Sequence, residues 1–148
     1  MSTIRAVTPD DYDLWLPLWH GYQRFYEVAI PEATSRATWR RLNDAAEPMW
    51  GALAVEGGQA LGLAHYVRHR TTWTEGDYCY LNDLFVSEAA RGRGVGRALI
   101  RHVYAEAEAM GCSRVYWLTH ETNVTAQKLY AGVAERSGFI QYRKRLEP

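Results

Sequence analysis

The sequence predicts an α+β domain, and three features carry that reading. Residues 49–55 and 60–69 are β-forming runs joined by Glu56-Gly57-Gly58-Gln59, a hairpin signal in which glycine supplies positive φ. A further β-forming run, residues 78–86, enters a glycine-rich turn, then a helical pattern, then another β run at residues 114–119. That βαβ order implies a parallel pair. Two helical segments precede the hairpin. Antiparallel neighbours early and a parallel pair late do not make a doubly wound sheet. The order β-α-α-β-β-β-α-β-α-β describes a mixed, mostly antiparallel sheet of about six strands flanked by four helices.

Each element has a local cause. Residues 3–7 read as a short strand. Thr8 caps the following helix, with Pro9 at its first position and Asp10 and Asp11 complementing the helix dipole. Leu14, Leu18, Tyr22 and Phe25 make one stripe on that helix, and Trp15, Trp19, Tyr22 and Tyr26 an adjacent one. Pro17 lies inside and is expected to kink it. Residues 31–44 form a second short helix, and residues 71–77 a polar loop carrying Trp73. Val95, Leu99, Val103, Ala107 and Met110 stripe a third helix that stops at Gly111. Residues 123–136 form a fourth helix and residues 139–146 a last strand. No repeat or linker interrupts the chain, so residues 1–148 are expected as one domain, burying about 68–70% of its unfolded surface.

Composition narrows the partners. Lys+Arg and Asp+Glu are both 17, which argues against a broad nucleic-acid footprint. Cys79 and Cys112 are too few for a disulfide framework, and no Cys/His spacing suits a metal. No signal segment opens the chain, and no apolar run approaches the ~18 residues of a membrane span. A cytoplasmic protein with no metal, nucleic-acid or membrane partner is expected.

The most informative stretch is Arg91-Gly92-Arg93-Gly94-Val95-Gly96-Arg97. Alternate glycines leave backbone amides unshielded at a helix N-terminus, where the dipole favours anions, and three arginines flank them. A phosphate-bearing ligand fits. A Walker loop is excluded because the chain has no Gly-Lys-Ser or Gly-Lys-Thr, and a dinucleotide fingerprint because Arg97 or Leu99 stands where its third glycine belongs.

The pattern that does fit is R-x-x-G-x-G, formed by Arg91, Gly94 and Gly96. It resembles the acetyl-CoA pyrophosphate loop of GCN5-related N-acetyltransferases (GNATs). Asn123-x-x-Ala126-x-x-Leu129-Tyr130 resembles the same superfamily's N-x-x-A-x-x-[LF]-Y segment, with Gly138-Phe139 arriving a few residues later than usual. The element order matches over essentially the whole chain. A narrower likeness, in Phe25-Tyr26-Glu27 and Tyr80-Leu81-Asn82-Asp83-Leu84-Phe85-Val86, is to the diamine and yeast-type histone and polyamine acetyltransferases, whose strand reads Y-L-E-D-[LF]-[FY]-V. Asn82 replaces that family's Glu.

The resemblance implies acetyl transfer from acetyl-CoA to a primary amine by direct attack in a ternary complex. It implies cofactor contacts from Leu84, Phe85, Val86, Arg91, Gly92, Arg93, Gly94, Val95, Gly96, Arg97, Asn123, Ala126 and Tyr130, and a homodimer. It also implies that Tyr130 protonates the departing thiolate. An amide is no base, so Asn82 leaves proton removal to Asp83, Glu27, His120 or a water chain, with Asp83 and a water relay ranked first. Trp19, Tyr22, Tyr26 and Glu27, with Asn82, are the expected acceptor-binding residues, because aromatic faces and a carboxylate suit a cationic amine. Trp15 reads as core, and His20, His65, His69 and His102 belong to no motif. The acceptor is expected to be a small polyamine or diamine, with protein lysine or an amino acid as alternatives, and a non-catalytic acyl-CoA sensor as the rival.

Overall fold

The computed structural model describes residues 2–147. Its elements run β1 (Thr3–Ala6), a 3₁₀ turn at Pro9–Asp11, α1 (Tyr12–Phe25), α2 (Glu32–Leu42), β2 (Met49–Glu56), β3 (Gln59–His69), β4 (Tyr78–Val86), α3 (Val95–Ala109), β5 (Arg114–Tyr116) and α4 (Val124–Ala131). Two compact units result, Met1–Leu118 with the sheet and α1–α3, and Thr119–Pro148 with α4.

The sheet order is β1-β2-β3-β4-β5, antiparallel up to β4 and parallel between β4 and β5. Gly57 and Gly58 close the β2–β3 hairpin at φ +56° and +78°. Positive φ at both central residues lets a two-residue turn match the strand twist. Alternation along β3 divides the faces. Leu63 joins Trp15, Leu18, Trp19, Leu42 and Leu53 in the core beneath α1. A Cβ at Gly62 would instead point at Leu99 and Val95 of α3. The two helices therefore cover opposite faces.

The third helix behaves as its stripe predicts: Val95, Leu99, Val103 and Ala107 are buried. Gly111 follows at φ +75°, its amide donating to the Glu108 carbonyl and that of Cys112 to the Ala107 carbonyl. This is a Schellman closure. Helix α1 runs through Pro17 without a break.

Three expectations at the ends of elements need correction. Residues 139–146 adopt no strand among the described residues, and Phe139, Ile140, Tyr142 and Leu146 are exposed. Side-chain pattern alone makes no strand; a ladder partner does. Helix α4 stops at Ala131 rather than near residue 136, so the extra length before Gly138 is non-helical backbone. The expected strand at residues 114–119 pairs only through Tyr116.

One part-buried ion pair ties β1 to the 3₁₀ turn that precedes α1. Arg5 donates to both Asp11 carboxylate oxygens at 2.6 and 2.8 Å, and the Thr8 amide donates at 2.7 Å. The guanidinium hydrogen bond, chiefly, holds the Asp11 carboxyl down at about 2. A depressed folded value stabilises the protein above the unfolded pKa, and that contribution is lost as pH falls from about 4 through about 2. Asp11→Asn is expected to cost about 1–2 kcal/mol at pH 7, discounted for the half-exposed guanidinium, and almost nothing near pH 2. Urea unfolding at the two pH values checks this.

Candidate active site

The site begins with an irregularity in the β3–β4 ladder. Tyr66 pairs with Leu81 and His65 with Asp83, so Asn82 is an extra residue with no partner across the ladder. Such a β-bulge shifts every later side chain of the strand by one place. Without it Asn82 would face His65; with it Asp83 does. Asp83 Oδ2 lies 2.9 Å from His65 Nδ1, and His65 Nε2 lies 2.9 Å from Trp15 Nε1. Asn82 is exposed, and its Nδ2 donates to Asp83 Oδ1 at 3.3 Å. Tyr22 lines the same cavity as Asp83. Burial, then the Asp83 charge, push the Tyr22 phenol far above its ordinary range, so it remains a donor.

These groups border a cavity of about 540 Å³. Trp19 stacks on Tyr22 at 5.0 Å between ring centroids, and Tyr22 contacts Tyr26 at 4.8 Å. Val28, Ile30, Met49 and Val67 supply apolar wall, while Asn82, Asp83 and His65 supply the polar end. Asp83 is the single acidic side chain among the lining residues, and no lysine or arginine lines it. The structure thus brings together four expected acceptor residues, Trp19, Tyr22, Tyr26 and Asn82, with Asp83. Glu27 is not among them: it stands exposed just after α1 at φ +54°. Trp15 is fully buried, as a core residue should be, while Trp73 is 68% exposed. His65 was missed, because only strand register reveals what it touches.

The glycine loop is bare in the expected sense. Gly92 and Gly94 have φ +78° and +80°, and a Cβ on either would meet no protein atom within 4 Å. The amides of Gly92, Arg93, Gly94, Val95, Gly96 and Arg97 donate to no acceptor among the described residues. Six successive free donors at the start of a 15-residue helix form an anion cradle. The arginines divide. Arg91 Nε donates to the Val86 carbonyl at 3.2 Å, and its guanidinium lies over the Phe25 and Phe85 rings. Arg93 pairs with Glu56 at 2.5 Å, whereas Arg97 makes no ion pair among the described residues. Backbone rather than guanidinium chemistry dominates this loop.

Strand β4 leads directly into that cradle. It pairs with β5 only from Tyr78 to Tyr80. From Leu81 to Val86 its edge on that side has no strand partner among the described residues. Leu84, Phe85 and Val86 therefore offer main-chain groups to an extended ligand arm, by the same pairing that adds a strand to a sheet.

In the second unit, the Asn123 side chain caps α4 by accepting from the Ala126 amide at 3.2 Å. That accounts physically for an Asn three residues before an Ala. Tyr130 lies on the same helix, partly exposed.

Comparison with known proteins gives the family. Residues 15–133 match the model of the "Acetyltransferase (GNAT) family". The chain is 41% identical over 143 residues to the D-amino-acid N-acetyltransferase HPA3 of Saccharomyces cerevisiae, covering 95% of this chain and 89% of that protein. It is 30% identical over 93 residues to a thialysine N-epsilon-acetyltransferase of Mus musculus, covering 60% and 54%. A solved structure described as a probable acetyltransferase superposes with a TM-score of 0.86 at 25% identity, over 99% of both chains. The fold also matches an aminoglycoside N-acetyltransferase in complex with CoA, with a TM-score of 0.83 at 22% identity over 99% and 96% of the chains. An anion cradle, an open strand edge and a carboxylate-ended cavity, in a chain with these relatives, identify a member of the GNAT family, an acetyl-CoA-dependent N-acetyltransferase.

Proposed function

We propose that the acceptor is a small primary amine that enters the aromatic cavity with its nitrogen against Asp83. The single observation that carries this is the placement of one carboxylate at the polar end of an otherwise aromatic and apolar cavity. Acetyl-CoA supplies an activated acyl group as a thioester. The amides of residues 92–97 hold its diphosphate, and the open edge at Leu84–Val86 aligns the arm that carries the thioester.

The amine poses the harder problem. A primary amine with pKa about 10.4 is neutral in roughly one molecule in a few thousand at pH 7, so uncovering the lone pair costs about 4–5 kcal/mol. Asp83 pairs with the ammonium as it enters and takes its proton, directly or through water, as the desolvated cavity disfavours separated charges. Tyr130 gives up the proton that the leaving sulfur needs; the family resemblance supports that role. It likewise supports a homodimer.

One carboxylate binds one ammonium. A polyamine would leave its further charges facing Trp19, Tyr22, Tyr26 and aliphatic wall, where cation–π contact returns about 0.5–2 kcal/mol at best. The cavity therefore favours acceptors with a single ammonium and an apolar body; an amino acid fits only with its carboxylate directed out of the cavity, whose lining holds no lysine or arginine. The relative named a D-amino-acid N-acetyltransferase supports the same choice. Thiol release from acetyl-CoA, measured against amino acids of both hands, aralkylamines, polyamines and basic peptides, tests it. Amino acids or aralkylamines are expected to exceed polyamines by roughly 10-fold or more in kcat/KM, about 1.4 kcal/mol. A preference for polyamines or peptides would overturn the assignment.

A further inference from the structure

Trp15, His65 and Asp83 form a hydrogen-bonded chain, buried at Trp15 and His65 and part-buried at Asp83, that no sequence motif announces. Trp15 is fully buried and His65 is 3% exposed. An indole N–H can only donate, so His65 Nε2, 2.9 Å away, must accept and carries no proton. The imidazole proton then sits on Nδ1, which donates to Asp83 Oδ2 at 2.9 Å. Turning the ring over would put carbon atoms in both places. The residues on each side allow a single tautomer.

We infer that His65 is a positioning residue for acetyl transfer, locked by Trp15 as a neutral Nδ1–H imidazole that orients the Asp83 carboxylate toward the acceptor. The inference rests on the proposed role of Asp83. Two consequences separate His65 from a base. A proton arriving at Nε2 would face the Trp15 N–H, donor against donor, so His65 collects nothing from the amine. Its bond to Oδ2 also leaves Oδ1, held loosely by Asn82 at 3.3 Å, as the oxygen with capacity for an ammonium.

The anchoring is firm because it begins in packed core. Trp15 stacks with Trp19 at 5.9 Å and packs tilted against Trp39 at 4.8 Å, and Trp19 meets the His65 ring edge-on at 5.0 Å. The carboxylate is thus tied through two hydrogen bonds to α1, while the bulge at Asn82 turns Asp83 to meet them. A side chain held through a partner whose own rotamer is packed keeps the small tolerance that catalysis demands.

The experiment compares His65→Leu, His65→Asn and Trp15→Phe in the full-length protein, each confirmed folded by thermal unfolding. His65→Leu removes the donor to Asp83 and should lower kcat about 10–100-fold, with KM for acetyl-CoA within about twofold, the range typical of lost orienting partners. Asn can place an amide N–H where Nδ1–H stood, so His65→Asn should recover kcat to within about fivefold of the parent. Nitrogen-15 NMR of the parent imidazole should show Nδ1 protonated and Nε2 bare, and Trp15→Phe should introduce the other tautomer. Equal losses in the Leu and Asn variants, or Nε2 protonated in the parent, would overturn the inference. If Asp83→Asn leaves turnover intact, the proposed role of Asp83 fails instead. If Asp83→Asn abolishes turnover while His65→Leu does not lower it, the inference about His65 alone fails.

Discussion

Asp83→Asn is expected to lower kcat/KM for the amine by roughly 10²–10³-fold while acetyl-CoA affinity, measured calorimetrically, changes by less than about twofold. The substitution nearly preserves volume, and its Oδ1 can still accept from His65 Nδ1, so the ladder register and the Trp15 contact persist. What disappears is charge and basicity. An ammonium entering the cavity then finds no anion among the lining residues and must leave water without compensation. The loss divides between KM, from the missing ion pair, and kcat, from the missing proton acceptor. The anion cradle at residues 92–97 lies on other main chain and is untouched. Turnover within threefold of the parent would show that bulk solvent takes the proton and that Asp83 has only a structural part in the bulge.

Much of this site is legible in the sequence, and what is not has a physical cause. Gly57-Gly58 announces a hairpin because few other pairs tolerate positive φ twice. The stripe Val95, Leu99, Val103 and Ala107 announces a helix, and Gly111 its end, for similarly local reasons. Asn123 three residues before Ala126 is a cap, again local. Asp83 itself is named by the strand's resemblance, but its meeting with His65 is a different matter. The two meet across 18 residues of chain, and Trp15 and His65 across 50. The meeting depends on one bulged residue that leaves no mark in the apolar pattern of Tyr78–Val86. Read linearly, Asn82 occupies the position of a catalytic base. Folded, the bulge gives Asp83, one residue along, the partner across the ladder that Asn82 would have had. The arginines mislead for a related reason: Arg93 appears available until Glu56, 37 residues away, is brought beside it. The last strand fails because its alternation has no ladder to join among the described residues.

Tyr130→Phe is expected to lower kcat by about 10²-fold and to leave acetyl-CoA binding nearly unchanged. The size follows from the leaving group. Thiols ionise near 8.5 and phenols near 10, so a phenol donating to a departing thiolate works against a gradient of about 1.5 units. Full proton transfer ahead of bond cleavage is thus disfavoured, and the hydroxyl contributes most as sulfur charge peaks. Such assistance belongs at the lower end of general-acid effects, about 10²-fold rather than 10⁴-fold, because a thiolate is already a fair leaving group. Removing one oxygen leaves the α4 backbone and the Asn123 cap intact. Single-turnover measurements must accompany the steady state, since slow product release would mask a loss in the chemical step. An unchanged single-turnover rate would mean that water protonates the sulfur. Tyr130 would then leave the mechanism, with the Asp83 end of the reaction standing independently of it.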